Sequence, residues 1–113
     1  MEADEVECSF TVQESCVNSI GTMHGGFTAT LVDVVGTLAL LARQQDKPGV
    51  SVDINVSYLS GVRVGDKVRC VGKVLRMGNS LGFTNVDLFR QDNGKLVATG
   101  RHTKAFPKNM VPT

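Results

Sequence analysis

One stretch alone in this chain reads as a long helix. From Gly25 to Arg43 apolar residues recur at helical spacing, whereas the segments on both sides alternate with the period of strands. A single helix cannot cover both faces of a parallel sheet, which constrains the fold class more than any other feature. The chain must be α+β, with one helix packed on antiparallel strands. At about 1.5 Å per residue the helix runs about 27 Å. Arg43 suits the negative end of its dipole, and K-P-G at 47–49 stops any continuation.

The strands are read from alternation. Residues 5–13 place Val6, Cys8, Phe10 and Val12 on one side, and residues 14–23 form a loop. Residues 50–59 place Val50, Val52, Ile54, Val56 and Tyr58 on one face and Ser51, Asp53, Asn55 and Ser57 on the other. Residues 67–77, 80–90 and 95–106 complete the set. D-N-G at 92–94 marks a hairpin, and S-G-V-R-V-G-D at 60–66 and M-G-N-S at 77–80 mark turns. At 113 residues the expectation is one domain spanning 1–113, with no repeats and no linker.

On a helical wheel Phe27, Leu31, Val34, Val35, Leu38 and Leu41 make a bulky apolar face, which the sheet is expected to bury. The opposite stripe holds Gly26, Ala29, Thr30, Asp33, Gly36 and Thr37, all small or polar. Such a stripe admits another backbone or a ligand. It also explains how Asp33 sits between Val32 and Val34: the carboxylate lies on the thin side of the helix, where burial is not required of it.

Charge and cysteine usage narrow the function. A net charge of +1 gives no electrostatic case for nucleic acid or an anionic membrane. No run is expected to span a bilayer, and the acidic start M-E-A-D-E-V-E reads as neither a signal nor a transit peptide. Cys8, Cys16 and Cys70 match no metal or redox spacing, so they read as buried or free thiols in a reducing compartment.

The residues alone leave several chemical readings open. His24-Gly25-Gly26 opens the helix, so it is either a glycine-eased junction or a set of free amides for an anion. A phosphate loop would need a fuller glycine motif and a second βαβ unit. Asp33 is either a solvated carboxylate or a base. Ser51 reads as one polar residue on an outward face, and Arg101, His102 and Lys104 as solvated strand residues outside any catalytic set.

The blocks N-S-I-G-T-M-H-G-G-F-T-A-T-L-V-D at 18–33, P-G-V-S-V-D-I-N-V-S-Y-L at 48–59 and G-R-H-T-K at 100–104 resemble the hotdog-fold acyl-CoA thioesterases. The resemblance runs from about Glu5 to Lys104. It implies a curved antiparallel sheet wrapped around one central helix. It also implies hydrolysis of medium- to long-chain fatty acyl-CoA, with no cofactor and no metal. Relatives of this kind carry about one more helix and a short strand ahead of the position of Glu5 (elements of ordinary size). By the resemblance Gly25, helped by Asn18 and His24, polarises the thioester carbonyl; Asp33 activates water or attacks, and Ser51 holds the water. CoA would lie along Tyr58, Leu59, Ser60, Gly61, Val62 and Arg63 and along Arg76, Met77, Gly78, Asn79, Ser80 and Leu81, with Asp53 nearby. The site would cross a subunit interface in a homo-oligomer, a dimer of dimers, in the cytoplasm or mitochondrion. A hotdog hydratase or dehydratase would open its helix differently, and a non-catalytic acyl-CoA binding module would have no need of Asp33.

Overall fold

In the computed structural model, residues 5–43 and 49–107 are described. Strand β1 (Glu5–Thr11) leads through a 3-10 turn (Glu14–Cys16) to helix α1 (Gly25–Arg43). Strands β2 (Val50–Tyr58), β3 (Lys67–Met77), β4 (Leu81–Arg90) and β5 (Leu96–Ala105) follow. All pairings are antiparallel, in the order β1-β3-β4-β5-β2, and α1 touches every strand. This is the hotdog arrangement. The helix bounds match those read from the sequence. Of the K-P-G stop only Gly49 falls among the described residues, with φ of 72°. The D-N-G hairpin forms as expected: Gly94 has φ of 70°, and its amide donates to the Arg90 carbonyl at 2.9 Å.

The helix is seated differently from the wheel reading. Its buried residues are Thr28, Val32, Val35, Gly36, Ala39 and Leu40. Val34 and Leu38, assigned to the buried side, are 48% and 50% exposed. The sheet therefore meets the boundary between the bulky and thin arcs. Close approach explains the choice. A Cβ on Gly36 would lie 2.7 Å from Thr84 Oγ1, and one on Gly100 would lie 2.7 Å from a Val32 methyl. Only glycines allow α1 to sit this near β4 and β5. The core then closes with Val68, Cys70, Val86 and Leu88 beneath Val32 and Val35. A second cluster joins Ala39 and Leu40 to Val74 and Phe106.

Two further expectations change. Gly25–Arg43 is long and apolar enough, by length and composition, to cross a bilayer, so such a run does exist. Here it is the helix that packs on the sheet, and a core helix meets the same test. The alternation of β2 is also broken. Pairing with β5 slips between Ser51 and Asp53, leaving Val52 as an extra residue. Ser51 pairs with Lys104 and Ile54 with His102, so both lie on the helix side of the sheet. Asp53 and Asn55 pair with Thr103 and Arg101 on the other side. The bulge moves Ser51 off the outward face to which simple alternation assigns it.

The three cysteines are free thiols. Cys8 and Cys70 are register partners, and burial, with Cys8 beside it, pushes the Cys70 thiol up to about 12. Cys70 is therefore a neutral core residue.

Candidate active site

Three elements bring polar groups to one place. Asp33 lies midway along α1, Ser51 precedes the bulge in β2, and His102 sits on the inner face of β5. Ser51 Oγ is 2.7 Å from His102 Nε2, and Asp33 Oδ1 is 3.7 Å from the same nitrogen. The Asp33 side chain is 46% exposed while that of His102 is fully covered. One end of the cluster is thus open and the other closed.

His102, a solvated strand residue by its polar sequence surroundings, is instead 1% exposed. The only usable signal was its phase: it shares a face of β5 with Ala98 and Gly100, small residues suited to lie under a helix. Burial pushes the imidazole below its usual range. The Asp33 carboxylate pulls the other way, and the Lys104 ammonium adds to the depression. The imidazole is therefore neutral at neutral pH. A carboxylate near Nε2 favours the tautomer protonated there, which donates to Ser51 and leaves the serine hydroxyl free to donate onward. Nδ1 has no hydrogen-bond partner among the described residues, as befits the bare nitrogen of that tautomer. A carboxylate, a hydroxyl and a neutral imidazole so arranged can hold a water and take its proton.

The helix start offers a second kind of chemistry. The His24 carbonyl accepts from the amides of Phe27 and Thr28, at 3.1 and 3.2 Å, so helical bonding begins there. The amides of Gly25 and Gly26 precede the first intrahelical donor and carry the positive end of the dipole. His24 itself is exposed, with its amide on the Cys16 carbonyl at 2.8 Å. Tyr58 reaches across from β2 and donates to the Gly25 carbonyl at 2.9 Å, so β2 and the helix start are held together. Asn18 organises its own loop. Its Oδ1 accepts from the amides of Ile20 and Thr22, and its Nδ2 donates to Thr22 Oγ1 at 3.1 Å. One hydrogen of that amide group is spoken for by the turn.

The residues assigned to CoA fall in two places. Leu59, Gly61 and Arg63 are exposed and Ser60 half-buried, next to the helix start. Arg63 bridges to Thr22 through the backbone. Val62 is 1% exposed and belongs to the core, so its side chain is not a surface contact. It was misplaced because a turn-rich stretch gives no face to its apolar member. Arg76, Gly78, Asn79, Ser80 and Leu81 line a common depression of about 400 Å³ with Phe83. Met77 is half-buried against the second core cluster. An adjoining cavity of about 650 Å³ shares Arg76 and Phe83 and includes Asp53 and Arg101. Asp53 and Arg101 are on the outer face of the sheet, opposite Ser51 and His102. One chain therefore does not join these cavities to the Asp33 cluster.

Known proteins match this chain as follows. The thioesterase superfamily model matches residues 20–97, more than half of the chain. Acyl-coenzyme A thioesterase 13 of Homo sapiens is 49% identical over 100 residues, covering 88% of this chain and 71% of the relative. The crystal structure of zebra fish thioesterase superfamily member 2 superposes with a TM-score of 0.89 at 43% identity, covering 92% of this chain and 75% of that one. A hypothetical thioesterase protein from Streptococcus pneumoniae, crystallised with coenzyme A, shares the fold with a TM-score of 0.87 at 24% identity, over 95% and 81% of the two chains.

Proposed function

From a chain that belongs to the thioesterase superfamily and is a thioester hydrolase of the acyl-CoA thioesterase kind, we propose hydrolysis of medium- to long-chain fatty acyl-CoA to free acid and CoA. The observation that carries this reading is the convergence of Asp33, Ser51 and His102 on one point. Asp33 takes the proton of a water held by Ser51, with the neutral His102 orienting the serine. The amide of Gly25 receives the charge that grows on the thioester oxygen, with Asn18 and His24 beside it. The leaving group is a thiolate, and a thiol is a much stronger acid than an amine or alcohol (a free cysteine thiol has a pKa of about 8.5), so no strong general acid is demanded. CoA runs along the exposed parts of 58–63 and 76–81, where Arg63 and Arg76 meet phosphates.

The test is a panel of acyl-CoAs of graded chain length with thiol release as readout. Turnover is expected to rise with chain length into the medium-to-long range. Binding without turnover of any member would leave a non-catalytic module.

The working unit we propose is a homo-oligomer, a dimer of dimers, in the cytoplasm or mitochondrion. β2 is an edge strand on which Val52 and Tyr58 are 60% and 57% exposed, and the outward helix side chains Val34 and Leu38 are similarly uncovered. A second copy would cover this apolar surface and the free strand edge. It would also bring the outer-face cavities of one chain toward the Asp33 cluster of another. Sedimentation at assay concentration is expected to give a species larger than the monomer; a fully active monomer would overturn the cross-subunit site.

A further inference from the structure

Lys104 is a buried, charged group that the hydrolytic chemistry above leaves unused. Its sequence surroundings suggest a solvated strand residue, yet it is 6% exposed, and its ammonium donates to Thr37 Oγ1 at 2.9 Å. The placement is systematic. Asp33 and Thr37 are one turn apart on α1, and His102 and Lys104 are two residues apart on the inner face of β5. Ser51 on β2 is the register partner of Lys104. Helix and strand thus present two matched pairs to each other, with Ser51 at the margin.

A buried ammonium is costly unless something opposes its charge. The groups facing Lys104 can be named element by element among the described residues. From α1 they are Asp33 and Thr37, from β5 His102, from β2 Ser51 and from β4 Gly82, its other register partner. Asp33 is the one anion among them. Thr37 supplies an acceptor but no charge.

We propose that Lys104, docked on Thr37, is a positioning residue for hydrolysis: its fixed charge holds the Asp33 carboxylate against His102 and Ser51. The inference rests on the acyl-CoA reading for its catalytic consequence only. The charge relationships agree with it: Asp33 favours the charged form of Lys104, and Lys104 disfavours that of His102. Burial still favours the neutral ring, but without Lys104 the Asp33 carboxylate faces His102 uncompensated and favours its charged form more strongly. The added proton would go to Nδ1, and the charged ring, through its Nε2–H, would pair more strongly with Asp33 and compete with water for its oxygens.

Lys104→Met tests this, since it removes the charge and keeps an unbranched apolar stem. The His102 ring is followed by NMR against pH, and kcat and KM for an acyl-CoA are followed over the same range. The His102 midpoint is expected to move up, and the acid limb of kcat to move up with it, while KM holds. The higher midpoint is expected to lower kcat on the acid side of the profile and leave the alkaline side unchanged. An unmoved midpoint and limb in a folded variant would overturn the proposal, since lost packing alone would lower stability without shifting either. If Lys104→Met does not fold, Thr37→Val, which frees the ammonium, must shift both in the same direction; unmoved values there overturn it equally. A midpoint that moves in a protein hydrolysing no acyl-CoA supports the charge pairing and overturns the acyl-CoA reading instead.

Discussion

Asp33→Asn is expected to lower kcat by about 10²–10⁴-fold, the usual contribution of a positioned general base, in a protein that stays folded and assembled. Asparagine keeps the size of aspartate and much of its hydrogen bonding. The side chain is 46% exposed, so the new amide is not stranded away from water. What disappears is the basicity that takes the proton. A second reading comes from His102, whose charged form Asp33 favours. With the carboxylate gone its midpoint is expected to fall, the reverse of the Lys104→Met result. Thiol release, thermal unfolding, sedimentation and the His102 titration on one preparation separate the possibilities. Near wild-type turnover would make Asp33 a solvated residue, for which a change of no more than about 0.5 kcal/mol in stability is usual. Because Asp33 also opposes the buried Lys104 charge, some stability is expected to go with it; a loss that Lys104→Met in the same chain does not restore would make Asp33 a structural anchor.

Why Asp33 was visible in the sequence and His102 was not has a physical cause. A carboxylate in an apolar helical run stands out because the wheel gives every residue a direction, and the direction holds for five turns. The bounds of α1 were legible for the same reason. The tilt of the helix against the sheet was not, because the choice between the bulky arc and its margin depends on how closely the backbones approach. That approach is set by Gly36 and Gly100, which carry no apolar signal of their own. In β5 the stretch Arg101-His102-Thr103-Lys104 is polar on both faces, so alternation assigns no side to be buried. In β2 the alternation was clear but misleading. The bulge at Ser51–Asp53 is a change of phase that no residue type announces, and it turns Ser51 toward His102. The site was therefore readable where it stands on the helix, and hidden where it depends on strand phase.

Gly36→Val should show how far the site depends on that close approach. The first added carbon would stand 2.7 Å from Thr84 Oγ1 and 3.3 Å from His102 Nδ1. Neither neighbour can readily retreat. Thr84 is 1% exposed and its hydroxyl donates to the His102 carbonyl at 3.0 Å, so rotating it away breaks a buried bond inside the sheet. The two methyl groups beyond Cβ ask for more room still, so α1 must lift from β4 and β5. Overpacking of this kind costs about 1–3 kcal/mol, offset by about 0.3 kcal/mol for replacing glycine in a helix. The thermal midpoint is expected to fall accordingly. Activity is expected to fall further than stability explains. Asp33 is three residues earlier on the same helix, and lifting the helix draws its carboxylate from His102 and Ser51. A misplacement of about 1 Å can cost about 10²-fold in rate, and kcat of the folded variant is expected to drop by that order. Ala42→Val, a β-branched substitution on the exposed last turn, serves as the control and is expected to change neither quantity. A Gly36→Val protein with wild-type thermal midpoint and kcat would mean that the gap between α1 and β5 is not what holds Asp33 in place.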